Sequence, residues 1–491
     1  MVDKIIRDKN DIFGMPILGF LFKNPKFLIA LKLIVLGLFF YALTYGLINT
    51  TNENIFTTGL FWGLFWPFFM VVTLGTFGRV FCGICPHGFV GKYITRFGLN
   101  KKLPKSLANP FIGLFILFLG WWLVYYMYPN LYKTPFGASM VFLVLTIFAF
   151  ISFFVFEKMS YCKSFCPIGA VTNAFSKVSF TKLETYKSAC SSCRTFDCAK
   201  ACSYDLKPFT FEKKNSMADC TLCMDCSSSC EAVAFKVKKP SSTLFKKFKP
   251  KKSDIWALIL LTGAISITMG FHHALGRSAI VEEFIWTKTA RYFESFINFG
   301  SIDAVGLFAF SYAIFFVIIA SMGGMFLASK ILKVDYEKTF YTLGYAFAPL
   351  FIIGGLSHLG EFFFLHYASN IVNGFIQAFS LNINYIEPLA TRRDSWLHIF
   401  KMFNHIAYIW AFIIMIARLK LLDSSKLRKA VAFPFASALI LFYMGLNFYT
   451  GYVFKTYGAK KRGGHNHMQH QKQTNSHSSL NIVIVKKQNK G

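Results

Sequence analysis

The chain has 491 residues, of which 54% are hydrophobic, 18% aromatic and only 15% charged. This composition excludes an ordinary soluble domain, in which about 25% of the residues are charged. The formal net charge of +30 is high enough for a nucleic-acid-binding protein, but Lys and Arg gather in alternate loops between apolar runs, which is typical of membrane proteins. We therefore expect a membrane partner and no nucleic acid.

Nine apolar runs follow one another along the chain. A bilayer core of about 30 Å takes roughly 20 residues of helix, and each run is close to that length or longer. The first run is longer than the apolar part of a signal peptide and is not followed by a cleavage site, so we expect a retained anchor. The pattern predicts an all-α polytopic membrane protein with about nine transmembrane helices, at 27–49, 57–81, 107–128, 138–157, 254–273, 303–328, 339–367, 396–417 and 431–454.

These runs divide the chain into four predicted parts. Residues 1–160 form a four-helix membrane region, 161–250 an inserted cytoplasmic ferredoxin-like domain with a Lys/Pro linker, and 251–454 a five-helix membrane bundle. Residues 455–491 form a polar, His-containing tail that we expect to be disordered. Seventeen Lys and Arg in 159–253 indicate that the ferredoxin-like domain faces the cytoplasm, with the protein in the inner membrane.

The first two helical hairpins each end in a cysteine pair followed by proline and glycine, "FCGICPHG" and "YCKSFCPIG". Two cysteines three or four residues apart lie on one face of a helix end. The repeat predicts one redox site, as a dithiol/disulfide couple, a metal site or a third cluster; the alternative is two pairs of inert, buried thiols. The four candidates are Cys82, Cys85, Cys162 and Cys166. Three cations are expected to favour their thiolate forms, namely Arg79, Lys92 and Lys163.

Eight further cysteines form two runs. "CTLCMDCSSSC" has the C-x2-C-x2-C-x3-C spacing of bacterial ferredoxins, in which three cysteines hold one cubane cluster and the fourth holds the other. "CSSCRTFDCAKAC" keeps that pattern with a longer second gap. Zinc sites would leave cysteines over in each run, and a reducing compartment disfavours disulfides. Crossed ligation then predicts two [4Fe–4S] clusters, one held by Cys190, Cys193, Cys198 and Cys230, the other by Cys220, Cys223, Cys226 and Cys202.

The chain resembles the membrane-bound polyferredoxins of the NapH, NosR and CcoG type. The resemblance rests on "GRVFCGICPHG", on "YCKSFCPIGAV" and on the ferredoxin segment that follows, and it covers about residues 27–235. It implies electron transfer in support of periplasmic respiratory reductases or of terminal-oxidase maturation.

Histidines of the second bundle fall toward the opposite membrane face. "HIFKMFNH" places His, Met and His on one helical face, and "MGFHH" puts a Met beside two His. Imidazole with thioether suits haem b or copper; the alternative is interfacial histidines without a ligand. The candidate metal residues are His272, His273, His358, His366, His398, Met402 and His405.

These features predict an iron–sulfur electron-transfer protein. It would pass electrons between cytoplasmic clusters, the membrane (through the quinone pool, haem or metal) and a respiratory oxidase or reductase partner. Two alternatives stay open: a maturation factor that reduces or delivers copper, and a metal transporter regulated by the clusters. The sequence leaves undecided whether the chain is itself an oxidoreductase, such as a quinol dehydrogenase-like or metal reductase component.

Overall fold

A computed structural model describes residues 5–191, 193–211, 219–239, 241–248 and 250–460. Within these ranges the protein is mostly helical, which confirms the predicted fold class. Seven helices are long and apolar enough to cross a membrane: Pro25–Ile48, Ile55–Phe77, Pro135–Val155, Lys252–Arg277, Ala304–Leu332, Tyr336–Ala378 and Ser395–Lys420. The pair Lys426–Ala436 and Ala438–Tyr457 forms an eighth span if its 45° bend lies within one crossing. The predicted tail beyond residue 460 lies outside the described residues.

The number of long spans differs from the nine predicted, and two local features explain the difference. The third predicted run forms Phe111–Met127, which is only 17 residues long; at 1.5 Å per residue it reaches about 25 Å, short of a bilayer core. The last run continues from Lys426–Ala436, which contains Pro434 one turn before the bend. Proline removes a helical hydrogen bond and clashes with the preceding turn, so the helix changes direction there.

Shorter helices connect the spans and build the cysteine-rich segment. They are Ile12–Gly14, Pro16–Lys23, Val80–Ile84, Pro86–Phe97, Tyr161–Phe165, Pro167–Ser176, Lys187–Ser191, Asp197–Lys200, Pro208–Thr210, Asp225–Ser229, Ser242–Phe245, Val281–Glu283 and Ile285–Glu294.

A two-stranded antiparallel sheet closes the cysteine-rich segment. Thr181–Thr185 pairs with Val233–Val237, with Leu183 opposite Phe235. The buried Asp11 carboxylate accepts from the amides of Phe13 and Phe235, at 3.0 and 3.1 Å. The N-terminal segment, the sheet and the cysteines therefore share one small core.

A buried ion pair joins this segment to the second bundle. Lys177 and Asp254 form a salt bridge whose side chains are 5% and 2% exposed, and the Tyr345 hydroxyl donates to the Ala174 carbonyl at 2.9 Å. Since Asp254 lies in the first turn of Lys252–Arg277, the cysteine-rich segment is held against the start of that span.

We expect Lys177→Met to destabilise the protein by about 3–5 kcal/mol, because it leaves the Asp254 carboxylate buried without its cation. The matched control is Lys338→Met, whose salt bridge to Asp423 is exposed and should contribute at most about 1 kcal/mol. Thermal unfolding of both variants in the same detergent measures the difference. Equal melting temperatures would show that the buried pair does not hold the two parts together.

Candidate functional site: a four-cysteine cavity beside the cluster cysteines

The two cysteine pairs, far apart in the chain, line one cavity. It encloses about 100 Å³, and all four predicted thiols face it: Cys82, Cys85, Cys162 and Cys166. Its membrane side is aromatic, with Phe61, Trp62, Trp121 and Phe142 from the spans of the two hairpins. The structure therefore brings the pairs together, as the repeat predicted, and their joint redox role stays a prediction.

The two pairs differ in the number of residues between their cysteines, and a different type of helical turn at each pair compensates for this difference. Cys82 lies in the α-helical turn Val80–Ile84, whereas Cys162 lies in the wider π-helical turn Tyr161–Phe165. In that wider turn the Cys166 amide donates to the Tyr161 carbonyl at 2.8 Å. Cys85 and Cys166 consequently reach the same local position, each in an extended conformation immediately before the next helix.

The Pro-x-Gly that follows each pair has a structural cause. Pro86 and Pro167 begin the next helices, where a missing N–H costs nothing. At the second pair the Gly169 amide donates to the Cys166 sulfur at 3.3 Å. A Cβ on Gly169 would lie 2.6 Å from the Cys162 carbonyl oxygen, so glycine lets the helix approach the thiols this closely.

Burial keeps three of the four cavity thiols protonated, those of Cys85, Cys162 and Cys166. Loss of solvent raises the pKa of Cys85 to about 12 and that of Cys166 to about 11, and neighbouring thiols add to both shifts. The pKa of Cys162 is raised well above its ordinary value for the same reason. A buried thiol gives up its proton when a bound metal replaces it, and the four cysteines that line the cavity have the donor chemistry of a thiolate ligand set.

Only one of the three cations predicted to act on these thiols lines the cavity. Arg79 does so and is 2% exposed. Lys92 instead binds Asp225 at 2.6 Å, and Lys163 donates to the Tyr204 carbonyl at 2.8 Å. Each lysine thus finds an oxygen partner in the cysteine-rich segment, and the predicted effect of both on the thiols stays a prediction.

Several polar residues of the cavity were missed by the sequence analysis. His87 lies 2.8 Å from the Thr146 hydroxyl, and burial lowers its pKa to about 4, so the ring is neutral. The Tyr204 hydroxyl donates to the Cys162 sulfur at 3.8 Å, and the Thr172 hydroxyl lies 3.4 Å from the Cys82 sulfur. A signal for His87 existed: it stands inside the first C-P-x-G motif, where the second has Ile168.

The two cluster runs fold alike. In each, a residue with positive φ directly precedes a short helix: Phe196 (53°) before Asp197–Lys200, and Met224 (66°) before Asp225–Ser229. These helices carry the third cysteine of each run, Cys198 and Cys226, and both side chains are buried. The longer gap in the first run therefore does not change the turn that presents its third cysteine.

The thiols that surround the third cysteine of each run, Cys198 and Cys226, follow the pattern predicted for crossed ligation. Burial raises the pKa of Cys198 to about 11, and the thiols that add to this shift are those of Cys230, Cys190 and Cys193. The pKa of Cys226 is raised by burial and then by the thiols of Cys220, Cys223 and Cys202, with a smaller effect of Cys198. These neighbours match the two predicted ligand sets, and the assignment of individual ligands stays a prediction.

The eight cysteines of the two runs have the thiolate donor chemistry that [4Fe–4S] clusters use. Among the described residues, no three His, Cys, Asp or Glu side chains are arranged to hold one metal ion. A cubane binds each thiolate through a different iron atom, so its cysteines lie further apart than the ligands of zinc. When bound, such a cluster supplies one-electron redox chemistry.

The second run forms a wall of the four-cysteine cavity. Thr221 of this run lines the cavity, beside Tyr204, which follows the first run. A Cβ on Gly83 would lie 2.6 Å from the Leu222 carbonyl oxygen. Lys32 of the first span reaches across to the Cys223 carbonyl at 3.1 Å. The loop around Cys220 therefore packs directly on the helix that carries Cys82.

The predicted metal residues of the second bundle are only partly brought together. His272 and His273 have ring centroids 5.1 Å apart, and His272 lies 3.1 Å from the Asp303 carboxylate. His405 contacts Tyr408, and Met402 is 56% exposed. Two others lie beside Phe362, namely His358 and His366, while His398 is exposed. This arrangement gives no support to haem, copper or quinone at these residues.

The family described as "4Fe-4S binding domain" matches the chain twice, at residues 58–105 and 136–184. Each match covers one helical span together with the cysteine pair that follows it, so the internal repeat corresponds to two copies of this domain. No solved structure matches the chain.

Two proteins of Methanocaldococcus jannaschii are similar to the chain. "Uncharacterized protein MJ0750" is 32% identical over 180 residues, which cover 33% of this chain and 72% of that protein. "Uncharacterized protein MJ0749" is 28% identical over 162 residues, covering 31% of this chain and 62% of that protein, less than two thirds of its length. The chain is therefore a multi-pass membrane protein with a repeated 4Fe-4S binding domain, and it belongs to the family that includes MJ0750.

Proposed function

We propose that this chain is a membrane-bound electron-transfer protein. It passes electrons between two [4Fe–4S] clusters in its cysteine-rich segment and the membrane, in support of a respiratory partner, with the four-cysteine cavity as the intermediate site. The observation that carries this proposal is the common wall between the cavity and the Cys220 loop. An isolated structural thiol site would not need to adjoin cluster ligands.

The aromatic side of the cavity supports a route for electron transfer between the cysteine-rich segment and the membrane interior. Its thiols lie at the ends of the spans, while Trp62 and Trp121 extend the cavity between the spans, with ring centroids 6.0 Å apart. The site thus contacts the cluster segment on one side and the apolar interior on the other, which is the position that an intermediate carrier requires.

A second candidate function is copper reduction or delivery for a respiratory enzyme. Thiolate-only donor sets select soft metals, which include Cu(I) as well as iron–sulfur clusters. The cavity offers four thiols, which would have to move closer together to surround one ion. The two candidates therefore differ in what the cavity holds rather than in what the cysteine-rich segment holds.

Metal analysis of anaerobically purified protein tests both candidates. We expect about eight iron atoms and matching acid-labile sulfide per chain from the two clusters, and about twelve if the cavity also holds a cubane. One copper atom that disappears in Cys82→Ser, with eight iron atoms retained, would favour copper handling. Stoichiometric zinc without sulfide would contradict electron transfer by this protein.

We further propose that the cysteine-rich segment faces the cytoplasm, as the Lys and Arg of 159–253 indicate. A reporter that is active only in the cytoplasm should function when fused after Lys252, and a periplasmic reporter should function after Asn52. The reverse pattern would place the clusters on the outer side and contradict the proposed orientation.

A further inference from the structure

Arg79 is a buried arginine in the wall of the four-cysteine cavity. It follows Gly78, whose φ of +87° and whose contact with Ser179, 2.8 Å from a built Cβ, both require glycine. This turn aims the guanidinium inward, where it donates to the Asn173 side-chain oxygen at 2.8 Å and to the Cys82 sulfur at 4.0 Å. Asn173 in turn donates to Asp219 at 3.2 Å. Arg79 thereby touches both copies of the repeat.

Among the described residues that line the cavity, Arg79 is the one Arg or Lys, and its guanidinium contacts Cys82. The residue of the second repeat that corresponds to Arg79, three before the first cysteine, is Met159, an apolar side chain that is 1% exposed. His87, the other basic group of the cavity, is neutral. If the quartet binds a metal centre as thiolates, Arg79 is the one fixed cation that the described residues place in its wall, and a buried negative site without a cation is costly.

The charge of Arg79 also reaches the neighbouring cluster loop. Asp219, which directly precedes Cys220, is linked to the guanidinium through Asn173. Thr221 of the same loop lines the cavity together with Arg79. Arg79 therefore lies between the quartet and the second cluster run, within the electrostatic range of both.

We propose that Arg79 is a positioning residue that supplies the compensating charge of the four-cysteine cavity and sets the reduction potential of the centre formed there. The inference rests on the proposed function. Adding one electron makes the centre more negative, and a guanidinium next to Cys82 stabilises that state, so its charge raises the potential. Asp219, held by Asn173 and by Lys251 at 3.0 Å, acts in the opposite direction.

The test is a redox titration of the spectroscopic signal that disappears in Cys82→Ser. Arg79→Gln should lower its midpoint potential by a tenfold or larger change in the redox equilibrium, which is about 59 mV for one electron. Arg79→Lys should restore most of the shift, because it keeps the charge. Arg96→Gln, the same change at an exposed arginine, should leave the potential unchanged.

If Arg79→Gln does not fold, Asp219→Asn provides a second test of the proposal. It removes the opposing negative charge with little change of shape, and it should raise the potential. Iron content, measured on every variant, shows that the centres are present. A signal that is present and unshifted in Arg79→Gln and Asp219→Asn would overturn the role of Arg79 alone, whereas absence of any signal that depends on Cys82 would overturn the proposed function as well.

Discussion

Cys166→Ser should stop electron transfer while both cubane clusters remain in place. Cys166 belongs to the cavity and not to the eight cluster cysteines, and its sulfur holds the Gly169 amide at the start of the next helix. Serine preserves that helix start but cannot replace a thiolate ligand or a redox thiol. We expect turnover with the physiological partner in membranes to fall at least about 100-fold, on the scale seen when a group required for the reaction is removed.

Two measurements are made on one preparation, first cluster content by EPR spectroscopy and then turnover. Loss of both would mean that the cavity is needed for folding and would leave its redox role without support. Normal turnover with normal clusters would show that the quartet only packs at the helix ends. Cys82→Ser, in the other copy of the repeat, should reproduce the result if the four thiols form one site.

Cys202→Ser should remove the cluster of the second run, although Cys202 belongs to the first. The Cys202 thiol is one of those that raise the pKa of Cys226 and of Cys220. Loss of one ligand from a four-cysteine cluster should cost that cluster, so iron should fall by about four atoms per chain. Cys230→Ser should cost the other cluster for the same reason.

Double variants decide whether ligation is crossed. Cys202→Ser combined with Cys223→Ser should lose no more iron than either single change, because both act on one cluster. Cys202→Ser combined with Cys193→Ser should lose iron from both clusters. The opposite outcome, with Cys202 and Cys193 behaving as one unit, would show that each run holds its own cluster.

Local structure in this protein follows closely from local sequence. Apolar runs became helices because a chain in a bilayer must pair its backbone groups internally. The sequence predicted that each cysteine pair lies at a helix end, but it did not predict that Pro86 and Pro167 begin the next helices. The spacing of the second cysteine run likewise indicated cluster ligands without reference to any distant residue.

The partners of individual Lys and Arg side chains could not be predicted from the sequence in this way. Lys163 lies inside the second cysteine pair and Lys92 follows the first, while Arg79 precedes it. Of the three, only Arg79 lines the cavity. Lys92 and Lys163 are captured by Asp225 and by the Tyr204 carbonyl, which belong to a segment that folds back against the helix ends. A cationic side chain pairs with an oxygen that lies close to it in the folded structure. The number of residues between the two along the chain does not measure that distance.

The sequence by itself determined the helical membrane class, the repeat of cysteine pairs and the eight cluster cysteines, because each is a matter of periodicity or short spacing. The repeat predicted that the two pairs form one site, but only the tertiary structure decided that the Cys220 loop packs against their cavity and that Arg79, of the three predicted cations, lines it. The physical reason is packing: helices from the two repeats must bury their aromatic faces against each other, and that packing brings residues about eighty positions apart to one point.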